Sequence, residues 1–278
     1  MHLAATPEAD SLRSRPTSFS LEPLRSAKAP SNSGGGGVRA ARTERGVPRA
    51  SQNVAEADAL YADRANLASA RRAAQLWTAD LARDPNQFDA AWKLSRIDYW
   101  LGRHASEAEG RRLFEQGIEA GRKASALQPN RPEGHFWTAA NMGELAESYG
   151  MRQGIRYRSP IRQELETVLR IAPAYQAGSA DRALGRWYAR VPRLFGGSRK
   201  LAEEHLRASL KYDPNSTLSH LFLAELFLDD GRKDEARREL QAVIDAPPDP
   251  DWTPEDAEYK EKARKTLGSL KYEVRSRK

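Results

Sequence analysis

Four amphipathic stretches of the chain close on a proline at nearly constant intervals. They are Ala82-Arg83-Asp84-Pro85-Asn86, Leu127-Gln128-Pro129-Asn130, Ile171-Ala172-Pro173 and Tyr212-Asp213-Pro214-Asn215. The prolines stand 44, 44 and 41 residues apart, and Pro247 follows 33 later. Proline lacks the N–H that a helix interior needs, yet its fixed φ suits the start of the next helix. Between these stops Ala, Leu, Glu, Arg and aromatic residues recur at helical spacing, and β-branched runs with period two are absent. Periodic helix–stop–helix punctuation marks a helical solenoid, in which each unit buries its apolar face against its neighbours.

The last unit fits the 34-residue tetratricopeptide template best. Leu223, Ala224 and Phe227 share one face of a first helix, Gly231 closes it, and Ala236, Leu240 and Val243 form the inward stripe of the second. Earlier units follow the plan with departures. Gly102 is expected to end one first helix, whose partner helix then runs to Pro129. Gly150 to Arg158 reads as an insertion, followed by a new helix opened by Ser159 at the N-cap and Pro160 in the first turn. Thr253-Pro254-Glu255-Asp256 repeats that start signal and opens a final helix that caps the stack. The expected fold is all-α, a tetratricopeptide-like α-α superhelix whose insertions make a compact body with a cleft or pore.

Residues 1–52 have a different texture, rich in Ser, Pro, Ala, Arg and Gly and including Gly34-Gly35-Gly36-Gly37. Such a segment has too little apolar surface to offset its ordering entropy and is expected to be a disordered tail, with the repeat domain spanning 53–278. The tail also holds eight Lys/Arg against four acids, so it carries four of the seven net positive charges. The repeat domain is therefore nearly balanced, and no nucleic-acid partner is expected. The chain has no cysteine, which excludes disulfides and thiolate chemistry. No apolar run approaches the ~20 residues needed to span a bilayer; the longest, Leu221 to Leu228, contains Glu225. Met1 to Leu24 contains no apolar segment of secretory type, so as written the chain is expected to stay where it is made.

Catalytic constellations are missing. The five histidines show no metal-ligand spacing, and no GxSxG, P-loop or GxGxxG is present, so neither enzyme activity nor a cofactor is expected. Gly196-Gly197-Ser198 reads as a turn with Ser198 as N-cap. The candidate binding residues are of another kind. Trp92, Arg96 and Trp100 are spaced i, i+4, i+8 and share a helix face, where a guanidinium can stack on two indoles. This stripe either faces a ligand or braces neighbouring helices. Arg182 and Arg186, with Arg190, form a second stripe of like charges that must be solvated or face an anion, with Tyr188 pointing elsewhere. His135 and Trp137, at the start of a first helix, are either core or part of a cleft. Arg152, Arg156, Arg158 and Arg162 make the middle of the chain locally basic.

Several blocks together resemble a known family. Lys93-Leu94-Ser95-Arg96-Ile97-Asp98-Tyr99-Trp100-Leu101-Gly102, Gly117-Ile118-Glu119-Ala120, Gly134-His135-Phe136-Trp137 and Ala183-Leu184-Gly185-Arg186-Trp187-Tyr188, through Pro192 and Gly196-Gly197, resemble the T component of tripartite ATP-independent periplasmic transporters. A weaker resemblance connects the same blocks to the regulator of microtubule dynamics proteins. The first resemblance implies a periplasmic accessory subunit that docks the transporter's solute-binding protein and holds a small hydrophobic ligand. The chain departs from it in lacking a signal and a lipidation cysteine at its N-terminus. The alternative is a cytoplasmic scaffold that recognises peptides or acidic protein tails, a role compatible with homo-oligomers.

Overall fold

A computed structural model describes the backbone of residues 49–275 and the side chains of 54–270. The tail assigned to residues 1–52 lies almost entirely outside the described residues; the first helix already begins at Arg49. The described residues form eleven α-helices and no strand. These are α1 (Arg49–Ala62), α2 (Leu67–Arg83), α3 (Phe88–His104), α4 (Glu107–Leu127), α5 (Pro132–Ser148), α6 (Met151–Ile171), α7 (Ser179–Arg190), α8 (Arg199–Ser209), α9 (Thr217–Asp229), α10 (Lys233–Asp245) and α11 (Thr253–Arg275). A 3₁₀ turn, Arg193–Phe195, precedes α8. Successive pairs α1/α2 through α9/α10 pack as αα-hairpins, and each punctuating proline from 85 to 247 falls in a loop between pairs.

The last hairpin matches its template. Leu223, Ala224, Phe227, Ala236, Leu240 and Val243 are all at most 1% exposed, and Gly231 sits at φ 74. Two earlier expectations need correction. Gly102 does not end α3, which continues to His104; a Cβ there would meet the Phe114 ring at 2.5 Å, so the glycine admits α4. Nor is Gly150 to Arg158 an insertion ahead of a new helix. It forms the first turns of α6, which runs on through Pro160. The Arg158 carbonyl, two residues before that proline, accepts a bond from the Trp187 indole at 2.9 Å, which ties this turn to α7.

Closure of the repeat stack comes from α11 rather than from the middle units. The odd-numbered helices carry an alternating circuit of charges, buried at Glu144 and Arg186 and part-exposed at Arg190, Lys262 and Glu258. Arg103 of α3 faces Glu144 of α5 at 3.7 Å, and Glu147 of α5 meets Arg186 of α7 at 3.1 Å. Arg186 and Arg190 reach Glu225 of α9, which takes Lys262 of α11 at 2.5 Å. Glu258 of α11 then returns to α3, at 2.8 Å from His104 and 3.4 Å from Arg103. Arg64, just after α1, clasps Glu255 of α11 in a pair only 4% and 3% exposed. The first and last units are thus joined by ion pairs that run along the C-terminal halves of the first helices. Among the described residues no helix is long and apolar enough to cross a membrane.

Candidate functional site

The other end of this ring is open. Tyr61 of α1, Trp92 and Arg96 of α3, Glu133 of α5 and the loops before α7, α9 and α11 bound a cleft of about 970 Å³. Its lining includes the cations Arg64, Lys93, Arg96 and Arg131 and the acids Asp58, Glu133 and Asp251. The N-terminal ends of α3 and α5 open onto it, so the positive ends of their macrodipoles add to the local field.

Arg96 is the centre of the cleft's aromatic wall. Its Cζ lies 3.5 Å from the Tyr61 ring centroid and 4.8 Å from that of Trp92. Trp92 is itself fixed by an indole bond to Asp89 at 3.0 Å. Burial pushes the Tyr61 phenol up to about 12, so the ring stays neutral. Burial likewise pulls the Arg96 guanidinium below its ordinary value. The lining also includes Gln176, 7% exposed, whose Nε2 donates to the Tyr175 hydroxyl at 3.0 Å and whose Oε1 is buried without a hydrogen-bond partner. The backbone here is unusual: Gln176, Ala177 and Gly178 lie at φ 48, 53 and 78. Two successive non-glycine residues in the left-handed region are strained, a condition that concentrates at ligand clamps and switches.

Of the residues singled out from the sequence, Trp92 and Arg96 line this cleft and the others do not. Trp100 turns away, bonding the Arg64 carbonyl at 2.8 Å and lying against His104 with centroids 4.0 Å apart. The stripe is therefore split, because Tyr61 rather than Trp100 covers the second face of Arg96. Trp137 is fully buried core against Tyr99 and Phe136. His135 holds Glu164 at 2.6 Å and the Pro129 carbonyl at 3.0 Å, and His220 repeats both contacts with Glu239 and Pro214, so each is a clip of its repeat unit. Arg182 and Arg186 are 0% and 2% exposed instead of solvated. Glu147 and Glu225 supply the anions Arg186 needs, and Arg182 approaches Ser216. Tyr188 stacks on His205 at 5.4 Å. Ser198 caps α8 by accepting from the Leu201 amide, as the turn reading expects.

Sequence reasoning missed Tyr61, Arg131, Gln176 and Tyr212. A usable signal existed: Arg131, Tyr175, Gln176, Tyr212 and Pro250 all stand within three residues of a punctuating proline, so one periodicity marks one rim. Tyr61 carries no such mark.

The same helix carries a second buried charge on another side. Asp98 is 3% exposed and, among the described residues, has no hydrogen bond or ion pair; it lines a groove walled by Leu81 and Leu113 between α2 and α4. Burial pushes its carboxyl well above the usual carboxylate range. A raised carboxylate pKa contributes stability below the unfolded value, and that contribution is lost as pH rises through the folded one. Asp98→Leu should therefore raise stability by about 1–2 kcal/mol at pH 7, with the gain shrinking at pH 4. Urea unfolding at both pH values measures this, and an unchanged midpoint at pH 7 would mean the carboxyl is compensated.

A family model described as regulator of microtubule dynamics protein 1-3 matches residues 53–207, and a tetratricopeptide repeat model matches 197–254. No curated protein matches the chain. Among solved structures, a thermophilic tetratricopeptide repeat protein of Thermus thermophilus is similar at 25% identity and a TM-score of 0.57, over 76% of this chain and 98% of that one. MamA from residue 41 onward, of Desulfovibrio magneticus RS-1, is similar at 15% identity and 0.49, over 72% and 96%. With more than half of its length in one family model, the chain belongs to the regulator of microtubule dynamics protein 1-3 family, with tetratricopeptide-repeat units toward its C-terminus.

Proposed function

We propose that the protein is a non-catalytic scaffold that captures a segment of a partner protein at the open mouth of its helical ring. The observation that supports this most is the cleft itself, with Tyr61, Trp92, Tyr175 and Tyr212 set among paired and unpaired charges. Rigid aromatic rings beside polar groups favour protein segments, since they supply contact area at low entropy cost together with hydrogen-bond direction. A purely hydrophobic ligand fits less well, because it would strip water from four cations and three acids.

The residue blocks that resemble the transporter T component suggest a finer version, docking of a periplasmic solute-binding protein. Its rival is a cytoplasmic peptide-binding scaffold, and the identity of the captured partner separates the two. A photo-crosslinking residue at Tyr212, on the rim, provides the test when compared with one at Leu194, 87% exposed and outside the cleft. Crosslinks from position 212 should concentrate on one segment of one protein. Scattered products, the same from both positions, would refute capture at the mouth.

A further inference from the structure

If the mouth binds a protein segment, one residue defines what that segment must carry. Arg96 is 7% exposed, its Nε is buried without a hydrogen-bond partner, and among the described residues it makes no ion pair. Every other cation lining the cleft has a carboxylate. Arg64 holds Glu255 at 2.8 Å, Lys93 holds Asp58 at 2.7 Å, and Arg131 holds Glu133 at 3.1 Å. A buried charge without a counter-ion is costly, and an unpaired guanidinium facing a cleft is one whose partner comes from outside.

The geometry narrows the partner's chemistry. Tyr61 and Trp92 crowd the guanidinium, with Cζ 3.5 and 4.8 Å from their ring centroids, and Nε is buried, so the terminal N–H groups are what the cleft can reach. Those N–H groups form a planar fork. That fork matches the two oxygens of a carboxylate. The lining acids point the same way, because Asp58, Glu133 and Asp251 repel a dianion such as a phosphate more strongly than a monoanion. Gln176 adds the complementary half, since its orphaned Oε1 can accept one N–H from the same bound segment.

We propose that Arg96 anchors one carboxylate of the captured segment, a chain terminus or an Asp or Glu side chain, while Gln176 accepts a neighbouring amide N–H. The proposal rests on the peptide-capture reading and specifies its recognition element.

The test uses the full chain and an array of short acidic peptides in three forms: free C-terminus, C-terminal amide, and Asp and Glu replaced by Asn and Gln. Removing the recognised carboxylate should weaken binding about tenfold or more. The form that loses affinity tells a terminal from a side-chain source. Arg96→Met should bind the parent peptides as weakly as wild type binds the stripped ones, and the two changes together should cost no more than either alone. Arg96→Met gives up the contacts with the Tyr61 and Trp92 rings but strands no carboxylate, so it should still unfold in one cooperative thermal transition, which separates lost binding from lost folding. Peptides bound within about twofold by Arg96→Met and wild type would overturn the carboxylate anchor and leave peptide capture standing. An array with no binder in any form would overturn both.

Discussion

Glu225→Gln should destabilise the protein by about 2–4 kcal/mol, because it removes the anion shared by buried Arg186 and the part-exposed Arg190 and Lys262, leaving Arg186 to rely on Glu147. Glu225 receives Arg186, Arg190 and Lys262, with Arg186 only 2% exposed. Burial alone would raise its pKa, but these cations outweigh it and hold the carboxyl at about 2. A depressed carboxylate pKa contributes stability above the unfolded value, and loses it as pH falls through the folded one. The difference between wild type and Glu225→Gln should therefore be full at neutral pH and fade between pH 4.5 and 2.

Glu144, in the same circuit, behaves oppositely. Burial pushes it up to about 8, because Arg103 at 3.7 Å offsets desolvation only in part. Its contribution is present in acid and is lost as pH rises from about 4.5 through 8, so Glu144→Gln should gain on wild type across that window and keep the gain above it. Denaturant unfolding from pH 3 to 9 would read both trends. If Glu225→Gln cost under about 1 kcal/mol at pH 7, the circuit would be a surface-like network of little weight.

The repeat architecture was legible because its signals are local. Each proline stop, the small residues at 224 and 236 and the start of the last helix at Thr253-Pro254 act within one or two turns, and each lies where expected, although Thr253 opens α11 from inside the helix rather than as its N-cap. The errors came where tertiary context overrode a local rule. Ser159-Pro160 has the form of a helix start, yet α6 continues through it, since the segment packs on Trp187 and Leu165 is fully buried beyond it. The arginine stripe on α7 leaves both solvent and an anion open from sequence, because its anions sit 39 residues away on either side, in Glu147 and Glu225. Likewise the Trp92–Arg96 pairing was visible as a four-residue spacing, but Tyr61, the ring over the other face, belongs to a different helix. Helical periodicity shows which residues share a face; it does not show what that face meets.

Gly117→Val is expected to cost about 3 kcal/mol or more, combining overpacking with the loss of buried hydrogen bonds. Sequence alone marks Gly117 as a liability, since glycine in a helix interior is about 1 kcal/mol worse than alanine. The structure supplies the reason it is there. A Cβ at this position would lie 2.4 Å from Asn141 Oδ1 and 2.6 Å from Nδ2, at the crossing of α4 and α5. Asn141 cannot give way cheaply, because its Nδ2 donates to the carbonyls of Ser95 at 3.0 Å and Trp137 at 2.8 Å. Ser95 in turn donates to the Gly117 carbonyl at 2.6 Å, so three helices are tied at one fully buried point. A valine would displace the amide and orphan donors and acceptors together, a cost that does not relax as a simple cavity does. Gly268→Ala is the matched control, with nothing within 4 Å of the added carbon, and it should stabilise by about 0.4–1 kcal/mol through the unfolded chain. Urea unfolding of both variants should give shifts of opposite sign. A Gly117→Val protein as stable as wild type would mean that α4 and α5 do not approach as closely as the Asn141 contact requires.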